Sequence, residues 1–257
     1  MQLHGAIVAA LLAVPCVAAV AADGVTTLGA GAEYSSGKYG GTEKTEIFYL
    51  PLTAKYETGP WILKATVPYI RITGPGNVVG AGADRVTLPG APGPRRTDSG
   101  LGDIVASAFY NVMSERTGPF GVDLGAKVKL GTADEKKGLG TGKNDYSLQA
   151  DLFKLFGSVT AFGSLGYRWY GDPAGVDLRN VVYGSVGASY RQSADTSFGL
   201  AYDFRPRITD GGSRISEATA FVSQRVSRDA KLQLYAIKGF SNGSPDFGLG
   251  TMLNFTF

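Results

Sequence analysis

The chain contains one cysteine, Cys16, and one histidine, His4. Both fall in an N-terminal stretch that reads as a removable leader, so the mature chain is expected to contain neither. That leaves no disulfide, no thiolate chemistry and no imidazole. A zinc site of the His/Cys kind and a Ser–His–acid triad are both excluded, and no metal or cofactor is expected. Charge of one sign is also lacking: 25 Lys and Arg face 22 Asp and Glu, for a net charge of +3. Such a balance offers no basic field to draw in nucleic acid. The apolar run from Ile7 to Val20, broken by Pro15 and Cys16, is too short to cross a bilayer as a helix.

That run has the form of a secretory signal peptide covering residues 1–22. Ala19-Val20-Ala21 fits an A-x-A cleavage site, and Asp23 opens a polar segment. The region before it, Met1-Gln2-Leu3-His4, has no Lys or Arg, so its positive charge would come from the α-amino group. The alternative is a hydrophobic N-terminal strand or plug. A lipoprotein anchor at Cys16 is disfavoured by Pro15 just before it and by the apolar run continuing past it.

What is abundant is glycine, 37 residues, with aromatics at 11%, a composition suited to many strands joined by turns. After Gly24 no segment sustains helical periodicity, and alternation with period two recurs instead. Val122, Leu124, Ala126, Val128 and Leu130 share one face of a strand, with Asp123, Gly125, Lys127 and Lys129 on the other. Phe247, Leu249, Leu253, Phe255 and Phe257 oppose Gly248, Gly250, Asn254 and Thr256 in the same way. About twelve such segments, each near the ten residues a tilted membrane strand needs, run approximately 25–36, 44–57, 60–73, 99–114, 119–132, 143–155, 158–171, 178–191, 196–206, 214–226, 230–240 and 246–257. Short turns near 57–59, 115–118, 156–157, 193–195 and 227–229 alternate with longer polar loops near 74–98, 133–142, 172–177, 207–213 and 241–245. A soluble sandwich or lipocalin-like barrel also alternates, but a closed soluble barrel of this size would need large apolar side chains inside. Here the polar faces carry charges of both signs, and aromatics gather at strand ends (Trp61, Tyr69, Tyr167, Trp169, Tyr190), where interfacial girdles belong. The expected fold is therefore all-β: residues 23–257 form a transmembrane antiparallel up-and-down barrel of about twelve strands, integral to the bacterial outer membrane, with both termini periplasmic. Its expected partners are outer-membrane lipids, the assembly machinery of that membrane, and an unidentified small solute.

Four stretches carry a family resemblance: Ser99-Gly100-Leu101-Gly102-Asp103, Lys127 to Asp134, Gly138 to Tyr146, and Lys238 to Asp246. On these the chain resembles the proteobacterial outer-membrane proteins labelled MetA-pathway of phenol degradation, often called simply transporter, over nearly the whole mature chain. The resemblance implies a barrel and solute passage, without defining a substrate. Gly131 departs from the proline expected in many relatives, a difference expected to affect only the bend at the strand top.

By alternation, Lys55, Lys64, Lys127, Lys129, Arg168, Arg191, Arg205 and Arg225 face the lumen, with Asp103, Asp123, Asp145, Asp151, Asp203 and Glu217. They form either a salt-bridge network filling a narrow barrel or the lining of a charged pore. Loop 74–98 is the longest, rich in Gly and Pro, and carries Arg85, Arg95 and Arg96. It is either a loose extracellular loop or one folded inward to constrict the pore, with Arg95 and Arg96 favouring anions at the mouth. Leu253, Phe255 and Phe257 resemble the terminal strand read by the assembly machinery, and equally fit a plain aromatic girdle. Gly138 to Lys143 suggests a phosphate loop only superficially, because Lys137 and Asn144 stand where that motif needs Gly and Ser or Thr. The reading reached is a non-enzymatic channel for small solutes, with aromatic or hydrophobic compounds among the candidates, working by passive diffusion through a charged lumen. The alternatives are a structural barrel with a sealed lumen and, without histidine, a poorly equipped outer-membrane enzyme.

Overall fold

A computed structural model describes residues 24–88, 93–114 and 118–257. The signal segment expected over 1–22 lies outside the described residues. Twelve antiparallel strands close into a barrel: β1 (Gly24–Gly37), β2 (Thr45–Thr58), β3 (Trp61–Gly74), β4 in two parts (Arg96–Leu101 and Ile104–Met113), β5 (Gly121–Leu130), β6 (Asp145–Phe156), β7 (Val159–Trp169), β8 (Val181–Arg191), β9 (Thr196–Arg205), β10 (Ile215–Arg225), β11 (Ala230–Gly239) and β12 (Phe247–Thr256). Each strand pairs with its sequence neighbours, and β12 returns to β1 through the register Thr27↔Thr256 to Ser36↔Phe247. The Phe257 N–H donates to the Thr26 carbonyl at 2.8 Å and extends that seam to the last residue. Among the described residues the barrel wall has no edge strand, which is what hydrocarbon demands of a sheet, since it cannot satisfy free N–H and C=O groups.

Alternation decides which way each side chain points. Leu148, Leu165, Val186, Leu200, Leu234 and Leu249 point outward and are between 50% and 61% exposed. Such a continuous apolar surface is unsuited to water and suited to lipid. It is framed by two aromatic girdles. Tyr34, Phe48, Tyr146, Tyr167, Trp169, Tyr202, Phe204 and Phe247 ring the outside near the long loops; Trp61, Tyr110, Phe156, Tyr190, Phe198 and Phe255 ring it near the short turns. Trp61 and Tyr110 meet edge to face at 5.0 Å, as do Tyr167 and Trp169 at 4.8 Å.

The short connections, such as Gly157-Ser158 between the paired Phe156 and Val159, lie on one rim with both described chain ends. Gly157 sits at φ +62°, the left-handed conformation that tight hairpin turns require. The opposite rim carries the long loops. One of these, 38–44 between β1 and β2, falls in the gap between the strands expected over 25–36 and 44–57, where no long loop was expected.

One irregularity matters for the interior. Opposite β3, Tyr69 pairs with Leu101 and Thr66 with Val105, so β4 carries one extra residue at Gly102-Asp103. This bulge switches the inward face of β4 from even to odd numbers, as bulges do. The Gly102 N–H keeps the strands tied by donating to the Pro68 carbonyl at 2.8 Å. The extra residue brings Asp103 to the head of the barrel. Gly131 also has a close neighbour: a Cβ there would lie 2.6 Å from the backbone of Gly142 and Lys143. Its role is thus close approach of the returning loop, beyond the strand bend expected.

Candidate functional site: a plugged and charge-striped lumen

The longest loop turns into the barrel. Its sequence places four apolar residues, Val78, Val79, Val86 and Leu88, around the polar tip Gly82-Ala83-Asp84-Arg85. The valines draw the loop into a small hairpin, Val78↔Thr87 and Val79↔Val86. One side of it, Val78 and Ala81, packs into a buried cluster with Tyr39, Ile47, Ile70, Ile72, Ala133 and Leu139. The other side, Val86, packs with Tyr170, Leu178, Val181 and Ile208. The buried apolar core of this protein is therefore a plug clamped between wall and loops at the long-loop end.

The tip of the plug is pinned by charge. Asp84 pairs with Arg168 of β7 at 2.7 Å, and Arg85 pairs with Glu217 of β10. Arg205 of β9 donates to the carbonyls of Ala83 at 3.2 Å and Arg85 at 2.7 Å, and to the Tyr170 hydroxyl at 3.1 Å. Burial is the largest single influence on Asp84 and would raise its pKa, but the surrounding cations, Arg168 foremost with Lys129 and Arg205, together hold the carboxyl below the usual carboxylate range. Burial pushes the Tyr39 hydroxyl up. Beside the plug a second network closes the head of the wall. Lys129 donates to Asp103 at 2.8 Å, to the Lys143 carbonyl at 2.9 Å and to Thr141 at 3.2 Å, and lies 3.5 Å from Asp145. On that side only about 20 Å³ separates plug from wall, roughly the room of one water.

Below the plug the lumen is striped. Residues that face each other in register on adjacent strands form rows that climb the barrel because the strands tilt. One row runs Lys55, Lys64, Ser107, Lys127, Ser147, Arg168 across β2 to β7. A second runs Asn111, Asp123, Asp151, Ser164, Ser185, Asp203, Glu217 across β4 to β10. On β5, β6 and β7 the two rows are four residues apart, about 13 Å along each strand. Between them lies a neutral row of Ile62, Phe109, Gly125, Gln149, Gly166 and Tyr183. The inward rings lie over inward glycines of the next strand: Phe109 over Gly125, Phe153 over Gly121, Tyr183 over Gly166 and Tyr235 over Gly250. A larger residue in place of any of these glycines would collide with the ring and push it into the lumen.

The side chains do not fill this space. A cavity of about 420 Å³ lies under the plug tip, walled by Glu33, Lys127, Arg168, Tyr183, Asp203, Arg205, Glu217 and Tyr235. Another of about 290 Å³ lies toward the short turns, walled by Ile62, Lys64, Phe109, Asp123, Lys127, Gln149 and Asp151. Lys127 borders both. Outside the plug, the long loops enclose a vestibule of about 540 Å³ between Tyr39, Asn77, Leu88, Ser213 and Asn242.

The residues expected in the lumen separate into three groups. Arg168, Arg205, Glu217, Lys129, Asp103 and Asp145 hold the plug and the head of the wall. Lys64, Asp123, Lys127, Asp151 and Asp203 face the cavities. Lys55, Arg191 and Arg225 sit toward the short-turn rim, where Lys55 pairs with Glu57 at 2.7 Å and Arg225 lies 3.7 Å from Asp195. Arg85, expected on an extracellular loop, is inside the barrel and 4% exposed, because the valines flanking it carry the loop inward. The loop also ends earlier than 98: residues 96–101 are strand, paired with β3. Arg95 and Arg96 do lie at the mouth, but each faces a carboxylate, Glu46 at 2.6 Å and Asp98 at 2.8 Å, which offsets the charge expected to favour anions. The sequence reading missed Glu33, Tyr49, Phe109, Tyr183 and Tyr235 on the inner wall. Local alternation within each strand places all of them there, on the same face as Lys55, Ser107, Ser185, Gln233 and Gly31.

A family model described as "Putative MetA-pathway of phenol degradation" matches residues 21–257. No curated protein matches the chain in sequence. Among solved structures the chain is similar to the KdgM porin, with a TM-score of 0.52 and 11% identity over 90% of this chain and 99% of that one. It is also similar to the Ralstonia pickettii toluene transporter TbuX (TM-score 0.45, 10% identity, 92% and 90% covered). A third likeness is to the CymD monoaromatic hydrocarbon channel (TM-score 0.43, 11% identity, 91% and 87% covered). The first of these likenesses shows a shared barrel fold.

Proposed function

The chain belongs to the MetA-pathway of phenol degradation family, and we propose that it is a passive outer-membrane channel for small solutes, constricted by its own inward loop. The observation that carries this reading is the pair of cavities that meet at Lys127 below the plug. A barrel built only for structure would be expected to fill that volume, as smaller barrels do with their inward side chains. Solute entering the vestibule reaches the plug, and passes when the Asp84 and Arg85 contacts release its tip. Charges of both signs on the wall give weak ionic selectivity, because cationic and acidic rows face the same lumen. No side chain is assigned a catalytic role.

In this reading the short-turn rim and both termini face the periplasm, and the long loops face outward. The apolar belt is solvated by lipid, and the terminal Phe257 serves the assembly machinery as well as the girdle. The likeness in fold to the KdgM porin supports the assignment. A second reading, a structural barrel sealed by salt bridges, is favoured by the two buried clusters and the ion pairs that clamp the plug. Liposome swelling decides between them. Proteoliposomes should swell in small polar and aromatic solutes, at rates falling steeply with solute size. Rates equal to those of protein-free liposomes for every solute would refute the channel.

A further inference from the structure

The lower cavity has a composition that the general channel reading does not use. Lys64 and Lys127 flank it on the cationic row, separated by one strand. Among the described residues, neither ammonium has a hydrogen bond or an ion pair. Four cations that hold the plug and the head of the wall are matched: Lys129 by Asp103, Arg85 by Glu217, Arg168 by Asp84, and Arg205 by two carbonyls. The acids on the far side of the same cavity are already engaged. Asp123 accepts from the Asn111 amide at 2.6 Å, and Asp151 from the Gln149 amide at 2.5 Å. The amides leave both carboxylates charged, so the cavity balances overall but its charges are separated: two ammoniums without a hydrogen-bond partner stand at one edge and two acids at the other, and an anion is favoured at the cationic edge. Between the edges lies an apolar floor, Ile62 and the Phe109 ring, with the Lys127 ammonium 5.6 Å from the ring centroid.

We propose that this cavity is a binding subsite for small aromatic carboxylates, especially those with a hydroxyl para to the carboxylate; the assignment rests on the channel reading for its biological purpose. The carboxylate sits between Lys64 and Lys127 and accepts from both. The ring lies against Phe109 and Ile62, where its face and edge find apolar and aromatic contact. A para hydroxyl points across the lumen to the acidic row and donates to Asp123 or Asp151, each of which has oxygen lone pairs beyond those its amide uses. Strand side chains project into the lumen, roughly perpendicular to the wall, so the roughly 13 Å between rows is close to the about 12 Å that one such ring spans with a hydrogen bond at each end. A shorter carboxylate such as acetate satisfies the lysines but not the floor. A neutral aromatic alcohol satisfies the floor but not the lysines.

The test uses the full mature barrel refolded in detergent, with binding measured by calorimetry and block of single-channel current measured in planar bilayers. Para-hydroxybenzoate should bind, benzoate more weakly, and acetate and para-hydroxybenzyl alcohol each at least about tenfold more weakly than para-hydroxybenzoate. Lys64→Met and Lys127→Met should each weaken para-hydroxybenzoate by at least about tenfold, while Lys127→Arg keeps binding. Phe109→Ala should weaken the aromatic acid and leave acetate unchanged. The comparison of acid with alcohol needs no variant, so it stands even if a substituted barrel fails to fold. Equal binding of acid and alcohol, or binding indifferent to both lysines in folded variants, overturns the subsite; with conductance intact, the channel reading survives that result. Binding as expected in detergent together with silent bilayers supports the subsite and overturns the channel reading instead.

Discussion

Glu217→Gln is the substitution that separates plug from barrel most cleanly. Glu217 lies on the inner face of β10 and pairs with Arg85 of the plug, the two side chains being 10% and 4% exposed. The change removes one charge, keeps the shape, and leaves every ladder bond of β10 in place. Removing one partner of a buried ion pair costs about 3–5 kcal/mol, because the other charge stays buried without compensation. The lower end applies here, since the new amide can still accept from Arg85, and Glu33 and Asp203 border the same cavity. About 3 kcal/mol directed against the docked plug, and not against the barrel, raises the odds of the released state roughly 150-fold. In single-channel recordings at low voltage, the variant should show far higher open probability than the wild type, with unchanged heat-modifiability on gels. Arg95→Ala serves as the contrast. Its pair with Glu46 is exposed at the rim, and such pairs contribute about 0.2–1 kcal/mol, so gating should move less than about sixfold. Equal gating in wild type and Glu217→Gln, with both barrels folded, would refute the assignment of the Arg85–Glu217 pair as a latch.

Three further outcomes are expected. Because docking lowers the Asp84 pKa, its contact with Arg168 contributes above the ordinary aspartate pKa of about 3.9 and is lost only as pH falls through the depressed docked value. Open probability should therefore be flat from neutral pH down to about pH 5 and rise only below about pH 4; a rise centred near neutrality would contradict this. Phe257→Asp places a charge at the end of the seam with β1 and on the outer girdle, so it should reduce heat-modifiable, membrane-inserted protein; equal amounts of inserted variant and wild type would count against it. Gly131→Ala drives a Cβ to 2.6 Å from loop backbone and should cost about 1–3 kcal/mol, seen as a lower unfolding temperature in detergent without loss of the barrel.

The barrel was legible in the sequence because lipid outside and water inside impose opposite demands on successive residues. Val122 to Leu130 answers both demands at once, and so does Phe247 to Phe257. Loop lengths gave the two rims by the same logic. The plug was only half legible. Gly and Pro in 74–98 mark irregular chain, whereas Val78, Val79, Val86 and Leu88 mark apolar surface that an exposed loop cannot bury. Those valines explain why Arg85 lies inside. The charged rows were visible as individual residues, but their order depends on register between strands far apart in sequence. The bulge at Gly102-Asp103 shifts that register by one residue. Lys64 and Lys127 appear alike with Lys129 in the sequence; only the fold shows that Lys129 is fully engaged and the other two are not.

The central claim is that a conducting path lies beneath a movable plug, and planar-bilayer recording of the purified mature barrel tests it most directly. Wild type should give discrete, small conductance steps with long closures, and Glu217→Gln should give steps that stay open. Membranes that stay silent at high load of both folded proteins would contradict the claim and leave a sealed structural barrel.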